Sequence, residues 1–211
     1  SLLPHYRGAA PVNHAIINGE TTTGITTFLI NENIDTGNIL LREEIRIFPF
    51  ENAGDLKIRL MKLGARLVIR TLKGIAENNL KPQPQSKYLQ PGEVPKPAPK
   101  IFPENCIINW NKDPVNIHNL IRGLAPSPCA RSYFTDKNKT FLFKIFESQP
   151  ETVMHNFKPG FIVSDGKSFL KVVCKNGFVN INSLQAEGKK RMNISEFLRG
   201  FKIEGWEIAV S

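Results

Sequence analysis

A proline-rich segment, residues 81–103, divides the chain into two parts. It contains seven prolines in 23 residues, and proline lacks the backbone N–H that helices and central strands require. The segment is therefore predicted to be a semi-rigid linker or extended strap instead of a continuous helix or central strand. Because 211 residues suffice for one large domain or two small ones, we predict a first domain at 1–80, the linker at 81–103 and a second domain at 104–211.

Positive charge is distributed unevenly between the two parts. The whole chain has a formal net charge of +9. Residues 1–95 carry 11 Lys and Arg against 9 Asp and Glu, whereas residues 96–211 carry 17 against 10. The second part therefore has an electrostatic reason to bind a polyanion. A soluble domain with a lysine-rich surface is an equally favoured explanation of the charge alone.

Helix and strand signals alternate in the first part. A short helix is predicted near residues 9–18, a buried strand at 25–30, where apolar and β-branched residues are continuous, and another extended segment at 39–47. Asn52 is a suitable N-cap for a long helix, with Asp55 three residues later. The buried stripe of this helix is predicted to consist of apolar residues at helical spacing, namely Leu56, Leu60, Leu63, Leu67, Val68, Leu72 and Ile75.

The turn between the two predicted strands carries one carboxylate, Asp35. Its neighbours Thr36, Gly37 and Asn38 favour tight backbone geometry. At the end of a strand, such a carboxylate can point into a cleft instead of into solvent. On its chemistry alone, a turn-capping role for Asp35 is favoured over a catalytic one, because Asp is common in turns for structural reasons.

The second part is predicted to be mostly β. A helix begins at Asp113 with Pro114 in its first turn, and a last short helix is expected at 193–198. Between them lie about five short strands, separated by turns such as Asn176-Gly177. Their ranges are 132–135, 140–146, 160–164, 169–174 and 179–184. Five short strands of this kind suggest a small barrel of the oligonucleotide-binding (OB) type.

Several classes of protein lack support in the sequence. There is no Gly-rich phosphate loop, and the four histidines are isolated from one another and from cysteine, so neither nucleotide nor metal binding is predicted. The three cysteines, Cys106, Cys129 and Cys174, are scattered, which fits reduced thiols in a cytoplasmic protein. With no long apolar run and no signal pattern, neither a membrane span nor secretion is expected.

Ten short stretches in a fixed order carry a family resemblance. In the first part they are Ser1–Pro4, Tyr6–Pro11, Ala15–Gly19, Thr23–Thr26 and Ile34–Leu40. In the second part they are Ala98–Ile101, Ile107–Trp110, Ile117–Leu124, Leu184–Met192 and Phe197–Gly200. The first set resembles the folate-dependent formyltransferases, and the second resembles their methionyl-tRNA formyltransferase branch. The resemblance implies an α/β plus β fold, in which the C-terminal part of a Rossmann-like formyltransferase domain is joined by the proline-rich linker to an OB-like β-barrel domain.

The resemblance also implies a reaction and its residues. The family transfers a formyl group from 10-formyltetrahydrofolate to the amino group of methionine esterified to initiator tRNA, and needs no metal. The catalytic residues of the family are an Asn, a His and an Asp. Only the Asp can be matched here, at Asp35, because the Asn and the His would precede residue 1. The folate-contacting loop corresponds to Ser1, Leu2, Leu3 and Pro4. The chain is accordingly expected to be the C-terminal portion of a longer enzyme and to be inactive alone.

The basic second domain is expected to bind the tRNA. Lys189, Lys190 and Arg191 are the candidate phosphate contacts, although a solvated turn is the structural alternative for residues 188–191. The full-length protein is expected to be a monomer. Two other functions stay open: a sugar-nucleotide formyltransferase, which shares the Ser-Leu-Leu-Pro and Asp-Thr-Gly elements, and a non-catalytic RNA-binding module.

Overall fold

The computed structural model describes residues 1–136, 139–203 and 205–209. The chain divides into two compact units, residues 1–101 and residues 102–211. No helix within the described ranges is long and apolar enough to cross a membrane.

Unit 1 is built around one antiparallel hairpin and one long helix. Its elements are α1 (Pro11–Ile17), β1 (Thr22–Phe28), β2 (Ile39–Arg46) and α2 (Ala53–Ala76). β1 and β2 pair in a register that places Thr22 opposite Arg46, with an irregularity at Thr27 and Phe28. The Asn52 side chain accepts a hydrogen bond from the Asp55 N–H at 3.1 Å, which confirms the predicted N-cap of α2.

Two predictions about burial in unit 1 are wrong. β1 ends at Phe28, and the side chains of Leu29 and Ile30 are 46% and 92% exposed, so the predicted buried strand at 25–30 is too long. Helix α2 rests on a two-stranded hairpin, which covers only part of its circumference. Its buried positions are Ala53, Leu56, Leu60, Leu67, Thr71 and Gly74, whereas Val68, Leu72 and Ile75 of the predicted stripe are exposed.

Most of the proline-rich segment is part of unit 1, as extended chain interrupted by one 3₁₀ turn at Gln85–Tyr88. Gln83 exchanges two backbone hydrogen bonds of 2.8 Å with Ile39 at the start of β2. Further along, the Ala98 N–H donates to the Arg7 carbonyl at 2.8 Å, and the Ala98 side chain is fully buried. At Gly8, with φ of +125°, an added Cβ would lie 2.4 Å from the Ala98 carbonyl oxygen. The approach of these two backbones therefore requires glycine.

Unit 2 contains a barrel-like sheet with two helices. Its elements are α3 (Pro114–Leu124), β3 (Ala130–Thr135), β4 (Thr140–Thr152), β5 (Ile162–Ser164), β6 (Leu170–Cys174), β7 (Gly177–Ala186), β8 (Met192–Asn193), α4 (Ile194–Gly200) and β9 (Glu207–Ile208). The strand order is β5-β6-β7-β4-β3-β9, and β8 pairs with β7. A bridge between Phe161 and Glu207 brings the two ends of this order together. The closure leaves few unpaired strand edges.

The interior of unit 2 is aromatic and aliphatic. Phe134, Phe143 and Phe197 are fully buried, and their rings pack at centroid distances of 4.6 Å and 5.5 Å. The alternation of buried and outward-facing residues along β3 and β7 follows the two-residue period of strands. It also places polar side chains in rows on the outer surface of the sheet.

Unit 2 departs from its predicted elements in three places. β4 continues to Thr152, six residues past the predicted end, and β8 and β9 are additional strands. Asp113 precedes α3 without a side-chain capping bond; its carboxylate accepts from Asn176 at 2.9 Å instead. The capping box of Asn193 and Glu196 at α4 is present as predicted.

Candidate functional site

The Ser1–Pro4 segment is fixed to strand β1 by one hydroxyl group. Thr26 Oγ1 donates to the Ser1 carbonyl at 2.7 Å and accepts from the Leu3 N–H at 3.1 Å. Leu3 and Pro4 are buried, while Ser1 and Leu2 are half-buried. The predicted folate-contacting residues thus form a short, ordered segment beside β1.

Asp35 lies in the loop between β1 and β2, several residues beyond the end of β1. Its φ of +56° is in the left-handed region that non-glycine residues rarely adopt. One carboxylate oxygen, Oδ2, accepts the Gly8 N–H at 3.0 Å. Within the described ranges, the other oxygen has no hydrogen-bond donor. The side chain is half-buried, so one oxygen is oriented by the backbone and the other faces no protein donor.

A buried glutamine supports the same loop from the proline-rich segment. The Gln85 side-chain amide donates to the carbonyls of Asp35 at 2.9 Å and Gly37 at 2.8 Å. Its oxygen accepts two hydrogen bonds from the Arg7 guanidinium, at 2.7 Å and 3.2 Å. Gln85 therefore joins the Asp35 loop to the chain just after Pro4. Sequence reasoning missed Gln85, because an isolated Gln among prolines has no pattern that marks it.

Ser1 and Asp35 are also neighbours, since the Ser1 backbone nitrogen lies within electrostatic range of the Asp35 carboxylate. Two of the residues predicted to form the site are therefore close to one another in unit 1.

A polar cluster borders this region. A cavity of about 200 Å³ is lined in part by Leu2, His5 and Arg42. At its wall, Tyr6 Oη donates to Glu20 at 2.5 Å, and Lys96 forms an ion pair with the same carboxylate. Burial raises the pKa of Tyr6, and the hydrogen bond to Glu20 raises it further. Tyr6 therefore keeps its proton and stabilises the Glu20 carboxylate as a donor.

In unit 2 the three predicted tRNA contacts have different environments. Lys189 and Lys190 are exposed in the turn between β7 and β8. Arg191 is also exposed, but its side chain belongs to a local network: its Nε donates to Ser183 Oγ at 2.8 Å, its Nη2 pairs with Glu147, and its guanidinium lies 4.6 Å from the Phe146 ring centroid. The turn is closed by the Gln185 amide, which donates to the Lys189 carbonyl at 2.7 Å.

The three cysteines are buried free thiols. Burial raises the pKa of Cys106, that of Cys129 to about 11 and that of Cys174 to about 12. They are therefore protonated and poorly nucleophilic near neutral pH. Within the ranges that the structure describes, no group of three or more His, Cys, Asp or Glu side chains is placed to bind a metal ion.

Comparison with protein families identifies the two parts of the chain. Residues 1–72 match the formyl transferase family model, and residues 100–202 match the model of the formyl transferase C-terminal domain. The chain belongs to the formyl transferase family. The two matches fall in units 1 and 2 respectively.

Curated relatives of this formyl transferase are named methionyl-tRNA formyltransferase. The protein of Bacteroides fragilis is 47% identical over 204 residues, which are 96% of this chain and 63% of the relative. That of Flavobacterium johnsoniae is 48% identical over 200 residues, or 95% of this chain and 62% of the relative. The chain thus spans less than two thirds of the length of these relatives.

A solved structure shares the fold. It is an N-formyltransferase from Helicobacter canadensis in complex with folinic acid and dTDP-3-aminofucose. Its sequence is 23% identical to this one. The superposition has a TM-score of 0.62 and covers 90% of this chain and 63% of the Helicobacter canadensis protein.

Proposed function

We propose that the protein takes part in the transfer of a formyl group from 10-formyltetrahydrofolate to the amino group of methionyl initiator tRNA. The product would serve in translation initiation. The observation that carries this proposal is the oriented Asp35 carboxylate, bound by the Gly8 N–H beside the ordered Ser1–Pro4 segment. The names of the relatives support the acceptor, methionyl-tRNA.

The chemistry requires a proton acceptor and donors for an oxyanion. The neutral amine of methionine attacks the formyl carbon, its C–N bond forms, and negative charge develops on the carbonyl oxygen. The bond to the folate nitrogen then breaks, so one proton leaves the amine and one reaches that nitrogen. The free oxygen of Asp35 can accept a proton through water or keep a neighbouring His in its useful ionisation state. The family resemblance implies that an Asn and a His ahead of Ser1 stabilise the oxyanion.

The Ser1–Pro4 segment is proposed to contact the folate donor. Its attachment to Thr26 leaves little freedom in this segment, which reduces the entropy lost on binding a rigid ring. The structural neighbour that contains folinic acid supports a folate donor. No metal is needed, since proton transfer and oxyanion stabilisation are supplied by side chains.

Unit 2 is proposed to bind the tRNA through its charged surface. Its half of the chain has an excess of seven positive charges, 17 Lys and Arg against 10 Asp and Glu. Contacts with phosphates give salt-dependent affinity that is largely independent of sequence. Exposed Lys189 and Lys190 are suited to this role, whereas Arg191 shares its charge with Glu147.

The test is a formylation assay with a chimera and the chain alone. The chimera carries, ahead of Ser1, the segment of the Bacteroides fragilis relative that precedes its match to this chain. We expect the chimera to formylate methionyl initiator tRNA and the 211-residue chain to show no turnover. A chimera that folds and binds tRNA but does not transfer the formyl group would contradict the proposed reaction. Turnover by the chain alone would contradict its proposed inactivity.

Two alternatives are distinguished by the same proteins. The Helicobacter canadensis structure contains a sugar nucleotide, which keeps an amino-sugar acceptor open, and formylation of such a sugar in place of the tRNA would favour it. If the chain binds tRNA but the chimera transfers nothing to either acceptor, a non-catalytic RNA-binding module is favoured.

A further inference from the structure

Arg131 and Lys144 lie side by side on the surface of the unit 2 sheet. They are direct partners in the pairing of β3 with β4, and Gln185 of β7 is the partner of Lys144 on its other side. The three side chains line one cavity of about 280 Å³. The other residues that line it are Leu142, Ala186, Glu187 and Gly188.

Neither cation forms an ion pair within the part of the chain that the structure describes. Like charges directly opposite each other on adjacent strands destabilise a sheet. Among the described residues, neither Arg131 nor Lys144 takes part in an ion pair. Arg131 Nε is moreover buried and has no hydrogen-bond partner. A charged donor buried without an acceptor is costly, and native proteins usually satisfy it with another group.

The charge around the pair is positive on balance. Burial raises the pKa of the nearby Cys129 thiol, while the charges of Lys144, Arg191 and Arg131 act together to lower it. Glu187 is the carboxylate that lines the cavity, and it is exposed at the rim. Arg131 and Lys144 together carry two positive charges and Glu187 one negative charge, so the cavity has a net positive charge.

We propose that this cavity binds a phosphodiester group of the RNA backbone. The inference rests on the tRNA-binding function proposed above and assigns that function a specific contact point. A guanidinium and an ammonium on adjacent strands can donate to different oxygens of one phosphate, which satisfies Arg131 Nε and relieves the repulsion between the two cations. The Gln185 amide, bonded to the Lys189 carbonyl, positions the lysine turn next to this contact.

Binding of an initiator tRNA transcript to the 211-residue chain, measured by fluorescence anisotropy at several salt concentrations, tests the proposal. Lys144→Gln is expected to weaken binding about tenfold and to reduce the slope of log K against log salt by about 1. The matched control is Lys175→Gln, which removes the same charge from an exposed position between β6 and β7. Lys175 precedes the first residue of β7, whereas the cavity lies at the other end of that strand, near Gln185. The control should change affinity less than twofold.

Two further measurements complete the test: a substitution that removes a negative charge, and an NMR signal that reports directly on Arg131. Glu187→Gln removes the negative charge at the rim and should strengthen tRNA binding by about twofold to threefold. In the parent chain, the NMR signal of Arg131 Nε–H should shift when a short RNA oligonucleotide is added, because the donor gains an acceptor. Arg131→Lys identifies that signal by removing it.

The outcomes separate this inference from the proposed function. Equal tRNA binding by the parent and Lys144→Gln, with weaker binding when Lys189 and Lys190 are both changed to Gln, would overturn the phosphodiester site and leave the proposed function intact. A parent chain that binds no tRNA would contradict both. A shift of the Arg131 signal with inorganic phosphate but not with RNA would assign the cavity to a small anion and overturn the RNA assignment.

Discussion

The backbone N–H of Gly8 donates a hydrogen bond to Asp35 Oδ2 at 3.0 Å across 27 residues of sequence. The same residue packs closely on Ala98, because a Cβ at position 8 would lie 2.4 Å from the Ala98 carbonyl oxygen. One carboxylate oxygen is fixed by the Gly8 N–H, and within the described ranges the other has no protein donor. The position of Asp35 is thus set by contacts that a simple turn-capping residue does not need.

Replacing Asp35 by Asn in the chimera should abolish most of the formyl transfer. The amide keeps the shape and can still accept from Gly8, but it cannot take up a proton. General acid–base assistance is worth roughly 10²–10⁴ in rate, so kcat/KM should fall on that scale while the circular dichroism spectrum is unchanged. Glu32→Gln, an exposed acid in the same loop, is the control and should retain activity. Near-normal turnover of Asp35→Asn would limit Asp35 to a structural role.

Gln85→Leu should loosen the same loop and lower stability. The change leaves the carbonyls of Asp35 and Gly37 without their donor and the Arg7 guanidinium without its acceptor. Unsatisfied buried groups cost about 1–3 kcal/mol, which urea unfolding of the chain should reveal as a lower free energy of unfolding. Gln90→Leu, at an exposed position in the same segment, should change stability by less than about 0.5 kcal/mol. Similar values for the two variants would contradict the supporting role of Gln85.

The sequence predicts best where the cause is local. The Asn52 and Asn193 caps depend on residues three positions away, and both are found as predicted. Strands β1 and β2 are also present where the apolar residues on either side of the turn predict extended segments. What fails is the extent of burial: Ile30 and Leu72 are apolar in sequence but exposed, because burial depends on which neighbours cover each face.

Contacts between distant residues are beyond local reasoning. Gln85 bonds to carbonyls 50 and 48 residues away, and its sequence neighbours give no indication of this. The pairing of Arg131 with Lys144 depends on the strand register, which a one-residue shift would abolish. The bridge that closes the sheet, from Phe161 to Glu207, likewise requires the whole barrel. Asp35 is a catalytic candidate only through the family resemblance, since its turn alone favours a structural role.

The buried thiols should make the protein lose stability in alkaline solution. Burial raises the pKa of Cys129 to about 11 and that of Cys174 to about 12, above the ordinary value of 9.0. Between about pH 9 and 11 the unfolded chain has released protons that the folded chain keeps, so the free energy of unfolding falls as pH rises. Cys174→Ala removes one of these groups and should make the fall shallower, as measured by urea unfolding from pH 7.5 to 10.5. Parallel curves for the parent and the variant would contradict this origin of the pH dependence.

Arg191 and the lysines before it should respond differently to mutation, although they are adjacent in sequence. All three side chains are exposed, but Arg191 also bonds to the buried Ser183 hydroxyl and packs on the Phe146 ring. The first two can be lost without disturbing packing, while the loss of Arg191 removes contacts between β4, β7 and the turn.

The double variant Lys189→Gln and Lys190→Gln should therefore weaken tRNA binding about tenfold and reduce the salt slope by about 2, one for each phosphate contact removed. Its thermal unfolding should match that of the parent. Arg191→Gln should instead lower the free energy of unfolding by about 1–2 kcal/mol, because a hydrogen bond to a buried hydroxyl and a cation–π contact are lost. Anisotropy and urea unfolding measured on both variants separate the two effects. If Arg191→Gln unfolds like the parent but binds tRNA more weakly than the double variant, Arg191 is a phosphate contact and its bonds to Ser183 and Glu147 yield to RNA.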